Sequence, residues 1–180
     1  MALDRRKLEE TLQKLGNSLF QPTTLCIFGS APAILLGQPS RQTQDVDVWH
    51  TQSSYDAGEL ARACKDIGIL YDPRGELDPE AVYIQIVRPG IVALPGAFET
   101  ETIGRYGRLT VVMPAPVALS AAKLVRGNAN DVNDVVWWVQ QRSISFRQLE
   151  QSINQLPNQR HREVARENLV FIQLVTGKSS

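Results

Sequence analysis

The sequence predicts an α/β fold, α+β in layout: a mixed sheet flanked by helices, then a helical lobe packed on it. Three observations carry this expectation. Short apolar runs bounded by Gly and Pro recur before residue 113, as strands do. Helical periodicities separate those runs. From Pro116 onward the period is helical throughout. The expected division is therefore 1–113 for the α/β core and 114–180 for the helical lobe.

Leu8, Leu12, Leu15 and Leu19 repeat at helical spacing, which predicts an amphipathic helix over 4–20 ended by Pro22. Thr24 to Phe28 is a buried strand between Pro22 and Gly29. Ala31 to Leu36 is a short helix with Ser30 as its cap, Pro32 in the permitted first turn and Gly37 at its end. Asp45 to His50 alternates acidic and apolar residues, so its two faces differ. A second helix is expected over 53–67, a turn-rich loop over 72–79, and strands over 82–87 and 109–113 with a hairpin-like segment between them. Helices over 117–126, 131–141, 146–156 and 160–175 complete the chain.

At 180 residues the chain buries roughly 70% of its unfolded surface and needs no staple. Nineteen basic side chains balance nineteen acidic ones, which argues against a non-specific nucleic-acid coater. Cys26 and Cys64 form no Cys-x-x-Cys pair, and only His50 and His161 are present, so thiolate or histidine metal chemistry is poorly supplied. The amino end is charged and has no apolar core of a signal peptide, and the apolar stretch 111–125 is broken by two prolines and Lys123. A reduced, cytoplasmic protein is expected.

The chemistry concentrates in Phe28-Gly29-Ser30, a short helix, a loop with Arg41 and Thr43, and then Asp45-Val46-Asp47. Gly29 allows a sharp turn and close backbone approach. The amides at a helix start favour phosphate. Asp45 and Asp47 leave the same face of a strand, and two adjacent carboxylates repel unless a divalent cation lies between them. A second constellation is Leu119, Lys123 and Arg126 on one helical face, so that two cations could enter one cleft, followed by Asp131-Val-Asn-Asp134. Asp131 could also simply cap its helix.

These residues resemble the nucleotidyltransferase superfamily of polymerase-β fold. Arg41-Gln42-Thr43-Gln44-Asp45-Val46-Asp47 is similar to the Arg-x-Thr-x-Asp-x-Asp branch, which includes bacterial abortive-infection and toxin–antitoxin nucleotidyltransferases. The match spans residues 25–138. It implies transfer of a nucleoside monophosphate from a nucleoside triphosphate to the 3′ end of RNA, such as tRNA, or to a protein hydroxyl. It implies Mg²⁺ or Mn²⁺ on Asp45 and Asp47, with Lys123 joining them in catalysis. Nucleotide contacts would come from Gly29, Ser30, Arg41, Thr43, Lys123 and Arg126, with Asp131 supporting the site. An antitoxin or other cognate protein partner is implied by the same branch.

One position departs. Many members carry a third carboxylate on a later strand, and on the 82–87 strand the outward face reads Tyr83, Gln85, Val87. A neutral amide accepts no proton from an attacking hydroxyl. A non-catalytic nucleotide- or partner-binding relative therefore stays open, as does a glycosyltransferase using Asp-x-Asp. Other residues have plainer readings: Cys26 in the core, Trp137 and Trp138 as core and rim, Trp49 packed under the site, His50 and His161 at the surface. Arg41 could serve only to neutralise Asp45 or Asp47. The C-terminal arginines alternate with Glu150, Glu163 and Glu167, which weakens an RNA-guiding role.

Overall fold

The computed structural model describes residues 2–176. The chain divides into two compact units: Met1–Pro89 with Thr100–Met113, and Gly90–Glu99 with Pro114–Ser180. Residues 90–99 thus group with the helices, although they precede two strands of the sheet.

The first unit contains α1 (Arg5–Ser18), β1 (Thr23–Phe28), α2 (Ala31–Leu35), β2 (Asp45–Trp49), α3 (Ala57–Asp66), β3 (Leu70–Tyr71), β4 (Tyr83–Val87), β5 (Thr100–Tyr106) and β6 (Leu109–Pro114). The six strands form a mixed sheet in the order β3-β4-β2-β1-β6-β5. β1 runs antiparallel to β2 and parallel to β6, while β2 and β3 each run parallel to β4.

Period-two alternation fixes which face is dry. Leu25, Ile27, Val46, Val48, Ile84 and Ile86 point to one side, where they join Leu8, Leu12 and Leu15 of α1, Ile34 of α2 and Leu60 of α3. Each fully buried aliphatic side chain contributes about 1.5–3 kcal/mol, so this layer sets the register. Asp4 caps α1 by accepting the Lys7 amide at 2.9 Å, and Leu19 lies buried past the helix end.

Several boundaries differ from expectation. The expected helix over 53–67 starts only at Ala57, because Asp56 accepts the Glu59 amide at 2.7 Å, while residues 50–52 form a 3₁₀ turn. Ser30 does not cap α2 through its side chain. The hairpin-like segment contains β5, which joins β6 through Gly107 and Arg108 and adds a sheet edge. The two-residue β3 was too short to show any periodicity.

The second unit holds α4 (Pro116–Arg126), α5 (Ala129–Arg142), α6 (Phe146–Asn154) and α7 (Gln159–Thr176). Ala121, Leu124, Val135, Val139, Leu149, Ile153, Leu169 and Ile172 make its core. Gly127 ends α4 at φ 63°, and Asn168 of α7 donates to the Leu124 carbonyl at 2.7 Å. Residues 90–99 are tied in by the Gly96 amide on Gln155 O at 3.2 Å and the Ala115 amide on Glu99 O at 2.8 Å. Trp138 is fully buried and meets Trp137 edge-on at 4.7 Å between ring centroids. Among the described residues no helix is long and apolar enough to cross a membrane.

Gly16 shows how closely α1 is seated. A Cβ there would collide with the Tyr106 backbone carbonyl, while the Gly16 carbonyl accepts the Arg108 amide at 3.1 Å. In an open helix, Gly→Ala gains up to about 1 kcal/mol. Here overpacking against backbone outweighs that gain, so Gly16→Ala is expected to destabilise by about 1–3 kcal/mol, read as a lower urea midpoint at unchanged m.

Candidate active site on the polar sheet face

The face of β2 and β4 opposite the core carries the candidate site. In β2, Val46 and Val48 are buried while Asp45 and Asp47 are half-buried on the other side. β4 repeats the pattern, with Ile84 and Ile86 buried and Tyr83 and Gln85 half-buried. The parallel register sets Asp45 opposite Tyr83 and Asp47 opposite Gln85. The two carboxylates expected on one face are therefore on one face, with a phenol and an amide beside them.

β1 delivers the turn. Phe28 pairs with Asp47, and Gly29 follows at φ 72°, a left-handed conformation that favours glycine. A Cβ at Gly29 would come 2.5 Å from Asp47 Oδ2. The carboxylate thus occupies the space that a side chain would fill. Ser30 Oγ, free of any capping duty, accepts from Arg41 Nη2 at 2.8 Å, which joins the turn to the 40s loop. Trp49 and Phe28 lie buried on the same face, edge-on at 5.9 Å between ring centroids.

The loop before β2 is anchored from the amino end. Leu3 and Thr43 exchange both backbone hydrogen bonds, Leu3 N to Thr43 O at 2.6 Å and Thr43 N to Leu3 O at 3.1 Å. That places the Thr43 hydroxyl to donate to Asp45 Oδ1 at 2.6 Å. The Tyr83 hydroxyl also donates to Asp45. Burial, then the charges of Asp45 and Asp47, then that hydrogen bond hold the Tyr83 phenol above its ordinary pKa, so it remains a donor.

The donor set suits a hard divalent cation. It consists of two carboxylates on adjacent same-face positions, of which Asp45 receives the Thr43 and Tyr83 hydroxyls. Among the described residues no three His, Cys, Asp or Glu side chains converge on one point. Two carboxylates are what Mg²⁺ takes when phosphate oxygens and water complete its shell. His50 is exposed, with its Nδ1 2.9 Å from the Tyr55 hydroxyl. Burial pushes the Cys26 and Cys64 thiols up to about 12, which leaves both as inert core groups at neutral pH.

The residues from the second constellation lie in the helical unit and form an ion cluster. Lys123 Nζ is 2.7 Å from Asp134 Oδ2 and 3.7 Å from Asp131 Oδ1, and Arg126 Nη2 is 2.7 Å from the same Asp131 oxygen. Lys123, Asp131 and Asp134 are each at most 3% exposed, whereas the Arg126 side chain is 62% exposed. Asp131 is not the cap of α5. Asn128 is, accepting the Asp131 amide at 2.9 Å, which frees the Asp131 carboxylate for the two cations. His161 lies in the first turn of α7, its amide donating to Asn158 Oδ1 at 3.3 Å.

One carboxylate was missed. Asp72 Oδ1 accepts from Gln85 Nε2 at 2.7 Å and from the Ile86 amide at 3.1 Å. It follows β3, whose register places Asp72 level with Gln85. The sequence gives no sign of this, because Asp72 opens a loop and only the strand order brings it to β4.

Two outcomes follow. Gly29→Ala is expected to cost about 1–2 kcal/mol from the left-handed backbone alone, and to displace Asp47. Calorimetry should then show weakened Mn²⁺ binding in a protein that still melts cooperatively. In the helical unit, Lys123→Met leaves buried carboxylates without their cation and is expected to cost about 3–5 kcal/mol by urea denaturation. Replacing Asp134 as well, in Lys123→Met/Asp134→Leu, should recover part of that loss.

Comparison with known proteins fits this architecture. A solved structure described as an antigenic nucleotidyltransferase-like protein from Paracoccidioides brasiliensis superposes with a TM-score of 0.58 at 16% identity, covering 98% of this chain and 93% of that one. At that identity the likeness is one of fold. Comparison with curated proteins finds no match. Residues 6–172 match the family described as "Nucleotidyltransferase of unknown function (DUF6036)", and the chain belongs to that family.

Proposed function

We propose that the protein moves a nucleoside monophosphate from a nucleoside triphosphate to a hydroxyl acceptor, releasing pyrophosphate. The observation that carries this reading is the Asp47 carboxylate lying over Gly29, beside Asp45 on one sheet face. That arrangement brings a turn fit for close phosphate approach next to a paired-carboxylate donor set.

Asp45 and Asp47 would hold Mg²⁺ or Mn²⁺. Bound there, the cation would offset charge on the phosphates and favour attack at the α-phosphorus. Gly29 and Ser30 would admit the β- and γ-phosphates against backbone. Arg41, anchored on Ser30 Oγ, would offset negative charge at the same end. Thr43 and Tyr83 donate to Asp45 and so hold one carboxylate in a single orientation. Gln85 accepts no proton, so the proton of the attacking hydroxyl would pass to solvent. No step is assigned to Lys123, Arg126 or Asp131, which the helical unit uses as an ion cluster. The resemblance favours an RNA 3′ end, such as that of tRNA, or a protein hydroxyl as acceptor, with a cognate antitoxin as partner.

Gln85 also supports a second reading, a relative that binds nucleotide without turning it over. One experiment separates the two. The protein is incubated with cell extract, Mg²⁺ and each α-³²P nucleoside triphosphate in turn. Transfer predicts label on RNA or protein that falls about 100-fold or more in Asp45→Asn/Asp47→Asn. Folded protein that binds nucleotide by calorimetry and labels nothing would establish the second reading.

A further inference from the structure

The amide at the third position is not loose. Gln85 lies between two carboxylates, Asp47 on its β2 side by register and Asp72 on its β3 side by hydrogen bond. Both attract an amide NH₂, and which one holds it decides what the other side meets. Asp72 holds it: Gln85 Nε2 donates to Asp72 Oδ1 at 2.7 Å. A carboxylate only accepts, so this contact assigns the NH₂ end to Asp72 and the carbonyl end away from it. Gln85 is half-buried, and its Oε1 takes part in no hydrogen bond among the described residues.

Asp72 is itself fixed. The same Oδ1 accepts the Ile86 amide at 3.1 Å, Oδ2 stands 4.0 Å from Arg88 Nη1, and the Asp72 amide donates to Ile84 O at 2.7 Å. Its backbone sits at φ 42°, in the left-handed region that few residues other than Gly, Asn and Asp enter. An acidic residue is therefore held in an unusual conformation by four contacts, and one product is the orientation of a neighbouring amide.

We propose that Gln85 Oε1 is a third, neutral oxygen for the cation held by Asp45 and Asp47, and that Asp72 is the positioning residue that turns it there. The inference rests on the cation reading of Asp45 and Asp47. Without Asp72, the amide would turn its NH₂ toward Asp47 and present hydrogens where the cation needs a lone pair. With Asp72, the row reads carboxylate, carbonyl, carboxylate across three strands, and only the first two face the cation.

The test measures Mn²⁺ bound to the whole protein, by the electron paramagnetic resonance of free Mn²⁺, with thermal melts alongside. Asp72→Gly suits the backbone conformation and removes the carboxylate that accepts from Gln85 and the Ile86 amide and faces Arg88. It is expected to raise the Mn²⁺ dissociation constant by about 10-fold or more, the usual cost of losing a group that orients a ligand. Asp72→Asn, whose Oδ1 can accept both bonds, should recover most of that loss. The reversed pair Gln85→Glu/Asp72→Asn inverts the direction of that hydrogen bond at the expense of the Ile86 amide contact, and should bind Mn²⁺ more tightly than the natural protein. Binding that is lost in Asp45→Asn/Asp47→Asn but unchanged in Asp72→Gly overturns the role of Asp72 and leaves the cation reading standing. A reversed pair that binds no more tightly overturns the role of Gln85. A natural protein that binds no Mn²⁺ overturns the cation reading, and this inference with it.

Discussion

The pairing of β2 with β4 holds both the core and the candidate site. A slip of one residue would carry Asp45 and Asp47 into the layer of Leu8, Leu12 and Leu15 and expose Val46 and Val48. The aliphatic positions resist that slip, because burying charge costs far more than burying Val gains. The carboxylates are thus placed by residues that never touch them. The lateral details depend on this register too. Phe28 opposite Asp47 sets where the Gly29 turn emerges, and Tyr83 opposite Asp45 sets which carboxylate receives the phenol.

The two units treat their acidic residues in opposite ways. Asp131 and Asp134 are sealed from water and compensated by full cationic charge from Lys123 and Arg126. Such a cluster ties α4 to α5 and is strongly destabilised when one partner is removed. Asp45 receives hydroxyls from Thr43 and Tyr83, which orient a carboxylate without cancelling its charge. The proposed cation site and the ion cluster thus differ in their partners, hydroxyls on Asp45 against charged groups on Asp131 and Asp134, although both sets are aspartates near basic side chains in the sequence.

Much of this was legible beforehand, for identifiable reasons. The leucine repeat of α1, the β2 alternation and the alternation of Tyr83 and Gln85 with buried Ile84 and Ile86 are local patterns, and local patterns survive folding; Val87, expected outward, is buried. Ser30 misled because a serine before a proline-led helix is a good cap candidate, yet a side chain from eleven residues on, Arg41, takes its oxygen. Lys123 and Arg126 both reach Asp131, but their spacing does not tell that Lys123 is buried while Arg126 is exposed. Asp72 was invisible because its partner is set by sheet order. β3 is two residues long, and no pattern in two residues announces a strand.

That brevity has a further consequence. β3 is one of the two outer strands of the sheet, where unpaired amides and carbonyls invite another chain to add on. Two residues offer too short a template for stable addition, and the left-handed Asp72 bends the backbone away directly afterwards. Leu70, 44% exposed, is the only strongly apolar side chain on that stub. The segment that carries Asp72 to Gln85 therefore also blunts the edge, protecting the sheet against strand-to-strand aggregation.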